Sequence, residues 1–194
     1  SLQLKDTIWM ENLKLFHIEG YQLVDRDLVI RALKQAKLAG VKISMDLANV
    51  DIVRRNKEFI REILEKYVDI VFCNEREARI LTDASASESC DYLGNLCEIA
   101  VVTTSERGSW VRNSEKKIFM EALSVNAIDT TGAGDLYAAG FLHGYLNNAP
   151  LKKCAWLGSL VASYVVKRIG AEIPDAVWEE IQEVILSEGK SFDE

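Results

Sequence analysis

None of the four cysteines, Cys73, Cys90, Cys97 and Cys154, stands in a CxxC or other metal-ligand spacing. That removes a structural zinc centre from consideration and leaves buried, reduced thiols in a cytoplasmic protein as the expectation. Histidine is scarcer still, with two in the chain. His17 has no ligand partners at metal spacing, so it reads as a strand residue at a sheet edge or in a packed interior. No apolar run approaches the length of a membrane span, and no secretory signal opens the chain. Basic residues are in deficit: 23 Lys and Arg against 30 Asp and Glu leave a net charge of -7. That balance argues against nucleic acid as a partner, which selects a basic face. A bound anionic nucleotide would need a local positive site, made from backbone N–H groups or a metal ion. The chain begins Ser1-Leu2 without Met, as a fragment or a processed product would.

What is present is the composition of a soluble globular protein, 48% hydrophobic and 27% charged. The 194 residues suffice for one well-buried domain. No repeat, low-complexity stretch or linker divides them, so residues 1–194 read as a single domain. Residues 1–12 suggest a short amphipathic helix or turn with Leu2, Leu4, Ile8 and Trp9 on its apolar side. Leu15 to Ile18 suits a buried strand. From Asp25 a helical pattern buries Leu28, Ala32, Leu33 and Ala36, with Gly40 as its stop. Val41 to Leu47 predicts a strand, and Asp46 near its end reads as a solvent-facing loop acid. A helix over about 51–67 carries Ile52, Phe59, Ile60, Ile63, Leu64 and Tyr67 as its stripe. Val68 to Phe72 is the next strand, followed by a short helix, a helix around 85–96 and a strand over Ile99 to Thr103. Alternation of this kind implies an α/β fold with a mainly parallel sheet. Trp110 to Asn113 and Lys117 to Ala122 predict an antiparallel hairpin at one edge. The last third predicts helices over 132–147 and about 151–168. A final helix opens with Pro174 at its first position and buries Trp178, Ile181, Val184 and Ile185.

Three segments carry candidate chemistry. In Asp129-Thr130-Thr131-Gly132-Ala133-Gly134-Asp135, small residues leave backbone N–H groups uncovered where a helix begins, which favours an anion. A carboxylate at Asp135 would repel a bound phosphate unless it takes a proton from an attacking hydroxyl. The plain alternative is a Gly-rich helix start with Asp135 stabilising the first turn. Asn74 and Glu77 share one side of a helix start, where they suit a Mg²⁺–water–phosphate network or a capping box. Thr103 to Gly108 is a third strand-to-turn segment that could run beside a nucleotide.

Together, and in this order, these segments resemble the PfkB/ribokinase-type carbohydrate kinases, in particular the adenosine kinase-like branch. Val68 to Ala78 is similar to the family's strand leading into an Asn-x-x-Glu motif, and Asp129 to Asp135 to its DTxGAGD signature. Phe141 to Leu146 and Val161 to Gly170-Ala171 are similar to the helices and Gly turn flanking the adenine site. The resemblance implies a three-layer ribokinase-like fold, its mainly parallel central sheet flanked by helices. It implies an ATP-dependent phosphotransferase that moves the γ-phosphate to a hydroxymethyl group of a sugar or nucleoside. Asp135 would be the general base, and Gly132, Ala133 and Gly134 the anion hole. Asn74 and Glu77 would set the Mg²⁺ network, Glu77 through water. Asp129 and Thr131 would lie at a monovalent cation such as K⁺. Thr103, Ser105, Gly108 and Gly170 would line the nucleotide. Family members carry Gly where this chain has Ser105. They also carry a long segment ahead of the match to Leu15, with the first strands, a β-lid and most acceptor contacts. The chain is thus expected to be the C-terminal, ATP-side portion, with a strand edge covered by a longer chain or by self-association as a homodimer. A non-catalytic kinase-like fragment that binds nucleotide or a partner is the alternative reading.

Overall fold

The computed structural model describes Met10 and residues 12–192. The helix or turn expected over 1–12 therefore falls almost wholly outside the described residues. Strands β1 (Leu15–Glu19), β2 (Lys42–Asp46), β3 (Ile70–Asn74), β4 (Ile99–Thr103), β5 (Gly108–Arg112) and β6 (Lys117–Glu121) form one sheet in chain order. The helices are α1 (Arg26–Leu38), α2 (Val50–Lys66), α3 (Glu75–Thr82), α4 (Ala86–Leu93), α5 (Ala133–Leu146), α6 (Leu151–Val165) and α7 (Asp175–Glu188). The chain divides into two compact units, 1–102 with 112–117 and 103–111 with 118–194. The division falls within β4, β5 and β6 themselves, so no linker marks it along the chain.

In the first unit, β1 and β2 pair in parallel with Leu15 opposite Lys42 and Glu19 opposite Asp46. Strands β2 and β3 also run parallel, with Ser44 opposite Ile70. Strand β1 stands at the end of the order, with no further strand outside it among the described residues. It is therefore not the buried strand its apolar run implied: only Ile18 is buried. His17 is exposed, and its Nδ1 lies 2.8 Å from Ser44 Oγ on the neighbouring strand. Strand β3 begins two residues later than expected, and the side chain of Asp69 just before it is well bonded. Its carboxylate accepts from the Ile43 N–H at 2.8 Å and from Lys37 Nζ at 2.9 Å.

Helix α1 begins at Asp25, whose carboxylate accepts from the Leu28 N–H at 2.9 Å. Its buried face is Val29, Leu33 and Ala36. Leu33 and Ala36 are buried as expected and Ala32 is half-buried, while Leu28, expected inside, is 42% exposed and Val29 takes its place. Helix α2 buries Val53, Ile60, Ile63 and Leu64, while Ile52, Phe59 and Tyr67 sit half-buried at its margins. The helix is interrupted at Asn56 (φ -120°, ψ 16°), whose side-chain amide donates to the Ile52 carbonyl at 3.0 Å. That bond diverts a carbonyl from the helical ladder, a local cause for the kink.

In the second unit, α5 is apolar around most of its circumference, which suits a helix with neighbours on several sides. It packs on α6 through glycine. A Cβ built on Gly140 would lie 2.5 Å from the Leu157 carbonyl oxygen, and one on Gly144 would lie 3.1 Å from Cys154 Cα. The two backbones approach closely because these positions carry no side chain. Pro174 precedes α7 in an extended conformation (φ -62°, ψ 152°) and is its N-cap, not its first helical residue. Of the four residues expected to be buried on α7, Ile181 is buried and Trp178, Val184 and Ile185 are half-buried. The β5–β6 hairpin is antiparallel: Arg107 O accepts from Ala122 N and Lys116 O from Asn113 N, so partner numbers rise on one strand as they fall on the other. All four cysteines are free and buried, and burial pushes the Cys90 and Cys97 thiols up to about 12. No helix of the described residues is long and apolar enough to cross a membrane. Replacing Gly140 with Ala would force its methyl group into the Leu157 carbonyl. We expect a loss of about 2 kcal/mol of stability, measured by urea denaturation.

Candidate active site

The glycine-rich loop lies in the second unit. Gly132 is the N-cap of α5 in the left-handed region (φ 75°, ψ 1°), a conformation that glycine adopts without a Cβ penalty. The same position is crowded, since a Cβ there would lie 2.5 Å from Ala171 Cβ. With no side chain at the cap, the first N–H groups of α5 depend on other acceptors. Ala133 N–H finds the Thr130 carbonyl at 3.2 Å. The N–H groups of Gly132, Gly134 and Asp135 have no protein acceptor among the described residues. The three N–H groups singled out in the sequence are therefore not equivalent: Ala133 is engaged, Gly132 and Gly134 are open. Asp135 is exposed in the first turn, and its carboxylate has no hydrogen-bond or ion-pair partner among the described residues. It is not serving as a side-chain cap.

Asp129 is held differently. Its Oδ1 accepts from Thr131 N at 3.0 Å and from Thr131 Oγ1 at 2.8 Å. Its Oδ2 accepts from Gly170 N at 2.9 Å. The Gly170 N–H first, and then the Thr131 donors, hold this carboxyl below the usual carboxylate range. Ile128 N and Asp129 N both point at the Val166 carbonyl, at 2.7 and 3.3 Å. The loop entering α5 is thus stapled to the turn that leaves α6. Gly170 in that turn is left-handed (φ 85°) with open space where a Cβ would be. The structure brings Asp129, Thr131, Gly132 and Gly170 together, with Ala171 as a participant that no sequence motif marked.

Thr103 ends β4 half-buried, and the turn after it is tightly built. Thr104 N and Oγ1 both donate to the Gly108 carbonyl, at 2.7 and 2.8 Å. A Cβ on Gly108 (φ 126°) would sit 2.0 Å from the Met120 carbonyl oxygen, so only glycine fits. Ser105 is left-handed at φ 54°. The one position where this chain departs from the family's glycine is thus a position whose backbone favours glycine.

Asn74 and Glu77 lie in the first unit, at the junction of β3 and α3, and they form a capping box. Asn74 Oδ1 accepts from Arg76 N at 2.9 Å and Glu77 N at 3.0 Å. Glu77 answers by accepting from Asn74 N at 2.9 Å and Asn74 Nδ2 at 2.5 Å. The box accounts for both side chains, but it does not account for their depth. Glu77 is 3% exposed, and burial raises its pKa despite the opposing Asn74 bonds. A capping carboxylate at the surface would avoid that desolvation. Asp46, at the end of β2, is half-buried and turns inward on its own loop, its Oδ1 accepting from Ala48 N at 2.7 Å. The expected solvent-facing acid is a loop-closing one.

A six-stranded sheet flanked by helices, with a glycine-capped helix carrying an acid in its first turn, agrees with the ribokinase-like fold that the sequence resemblance implies. The chain belongs to the pfkB family of carbohydrate kinases, whose family model matches residues 1–178. A nucleoside kinase of Methanocaldococcus jannaschii is 33% identical over 134 residues, 69% of this chain and 44% of that protein. A cytidine kinase of Thermococcus kodakarensis is 31% identical over 162 residues, 81% of this chain and 56% of that protein. The solved structure of an adenosine kinase from Sinorhizobium meliloti superposes with a TM-score of 0.85 at 32% identity, covering 92% of this chain and 57% of that one. The chain therefore spans about half the length of these relatives.

Two measurements check the local geometry. Ser105→Gly should stabilise the protein by about 1 kcal/mol in thermal denaturation, because glycine enters the left-handed region without the side-chain clash. Glu77 has a folded pKa above its unfolded one, so its contribution favours folding most below the unfolded pKa. That contribution is lost as pH rises through the folded pKa. Glu77→Gln removes the titration, so wild type should lose Tm relative to the variant as pH is raised from about 4 toward neutrality.

Proposed function

We propose that these residues form the ATP-side portion of a kinase that transfers the γ-phosphate of ATP to a hydroxymethyl group of a nucleoside or sugar. The observation that carries this reading is the start of α5, where an exposed, unpartnered carboxylate stands beside open N–H groups. Gly134 sharpens the point. Its φ is not in the left-handed region and nothing lies within 4 Å of a Cβ built there. Neither backbone geometry nor packing requires glycine at 134, where it costs up to about 1 kcal/mol of helix stability. Close approach of a ligand to the backbone supplies the missing reason.

In this reading Asp135 takes the proton from the acceptor hydroxyl as its oxygen attacks the γ-phosphorus. The oxygen bridging to the β-phosphate leaves with its electron pair, so ADP departs and one proton resides on Asp135. The N–H groups of Gly132 and Gly134 stabilise charge on the equatorial phosphoryl oxygens, with Ala133 joining them by exchanging its long bond to Thr130. Mg²⁺ bound with ATP would neutralise phosphate charge. In the first unit, each Glu77 carboxylate oxygen accepts one bond from Asn74 and keeps a lone pair, which is what the water-mediated Mg²⁺ role implied by the family resemblance would use. Asn74 Oδ1 is saturated by two N–H groups, so Asn74 orients Glu77 and can reach a phosphate only through its remaining Nδ2–H. A monovalent cation would have lone pairs on Asp129 Oδ2 and Thr131 Oγ1, since Asp129 Oδ1 already accepts twice. Thr103, Ser105, Gly108 and Gly170 are assigned to the nucleotide side. The nucleoside kinases among the relatives favour a nucleoside acceptor.

The partial span of the relatives favours a second reading for these residues in isolation, binding of nucleotide without turnover. Release of ADP by the full-length protein over a panel of nucleosides and hexoses tests the reaction and names the acceptor. Asp135→Asn should lower kcat on the order of a thousandfold or more with little change in KM for ATP. Unchanged turnover would remove Asp135 from the mechanism.

A further inference from the structure

Helix α5 begins inside the proposed phosphoryl-transfer loop. It meets α6 through Gly140, Gly144 and Gly158, where the backbones come close, the Leu157 side chain lies against Gly144 and the Tyr137 ring against Gly158. Apolar contact is non-directional. Tyr137 adds a directional contact. Tyr137 is 5% exposed and Ser109 is fully buried, and their hydroxyl oxygens lie 2.8 Å apart. The tyrosine ring is confined on its other sides. A Cβ on Gly158 would come within 3.0 Å of the ring atoms Cε1 and Cζ, and Phe141 stacks at 6.4 Å between centroids.

The placement of this bond matters. Tyr137 follows Asp135 by two residues, about 200° around an α-helix, so one side chain points into the protein while the other faces out. Ser109 directly follows Gly108, the residue that closes the Thr103–Gly108 turn by accepting both Thr104 bonds. The bond therefore ties the turn assigned to the nucleotide to the back of the helix that carries the proposed base.

We propose that Tyr137 and Ser109 form a buried strut that sets the rotation of α5, with Tyr137 as a positioning residue for Asp135 and the open N–H groups. Neither hydroxyl touches substrate. Without the strut, the apolar ring still fills its place, but the helix start loses the bond that fixes its orientation, and the reacting groups are held less closely. The close approach of α5 and α6 at these glycines brings the helices together, and the Tyr137–Ser109 bond adds a directional tie near the start of α5.

This inference rests on the kinase reading for its kinetic consequence but not for its structural one, and the test uses both. Tyr137→Phe, Ser109→Ala and the double variant are made in the full-length protein. Hydrogen exchange of the 136–140 amides, which are hydrogen-bonded from Leu136 onward, is followed alongside steady-state kinetics. We expect each single variant to exchange these amides about tenfold faster. We expect kcat to fall about tenfold, with KM for ATP within about twofold of wild type, as for displaced reacting groups. The double variant should be no worse than the more affected single one, because the two hydroxyls make one bond. Unchanged exchange at 136–140 in both single variants overturns the strut, whether or not the protein is a kinase. A fall in Tm with kcat unchanged overturns the positioning role, and losses that multiply in the double variant overturn the pairing. If the wild-type protein phosphorylates no acceptor, the kinase reading falls and hydrogen exchange alone decides the strut.

Discussion

The second unit depends on a single backbone constraint, the left-handed turn at Gly132. It reverses the chain into α5 with no side chain on the cap, where a Cβ would lie 2.5 Å from the Ala171 methyl group. Any other residue would meet both a φ penalty and a collision. Because the cap is bare, the first amides of α5 lack the side-chain oxygen that Ser, Thr, Asp or Asn would supply. The open helix start is a direct consequence of the turn that makes the loop possible.

Around that turn the structure spends its polar groups on holding the loop still. Asp129 gives three acceptor positions to Thr131 and Gly170, and Val166 gives its carbonyl to Ile128 and Asp129. The N–H groups left over belong to Gly132, Gly134 and Asp135, and the carboxylate left over belongs to Asp135. Satisfied groups and unsatisfied groups are sharply separated along seven consecutive residues. In a folded protein where buried and half-buried polar groups normally find partners, that separation distinguishes groups that build the loop from groups available to a ligand. Glu77 shows the same tension in the first unit: its capping box is complete, but its carboxylate is buried deeper than a cap requires.

Much of this was readable along the chain. The α/β alternation, the strand Ile99–Thr103, the hairpin and the helix start after Gly132 follow from local periodicity and turn chemistry, which act over a few residues. The misreadings also have local causes. Leu15 to Ile18 is apolar enough for an interior strand but lies at the end of the strand order, a property of neighbours and not of the segment. Leu28 and its neighbour Val29 are both apolar, and either fits the stripe that Leu33 and Ala36 continue, so the sequence does not say which of the two turns inward. Pro174 suits both an N-cap and a first helical position, and φ alone does not separate them.

The sequence by itself determined the class of fold, the family and the residue types of the site, because DTTGAGD and the Asn-x-x-Glu pair are short motifs whose chemistry is local. Only the tertiary structure decided which of those residues are free to act. The Gly170 amide reaches Asp129 across 41 residues of chain, and Ser109 reaches Tyr137 across 28. Hydrogen-bond partners at such separations are set by how elements pack, and no spacing rule along one chain encodes them. The same holds for Ser105, an ordinary residue in the sequence that becomes a strained one only when the turn to Gly108 closes around it.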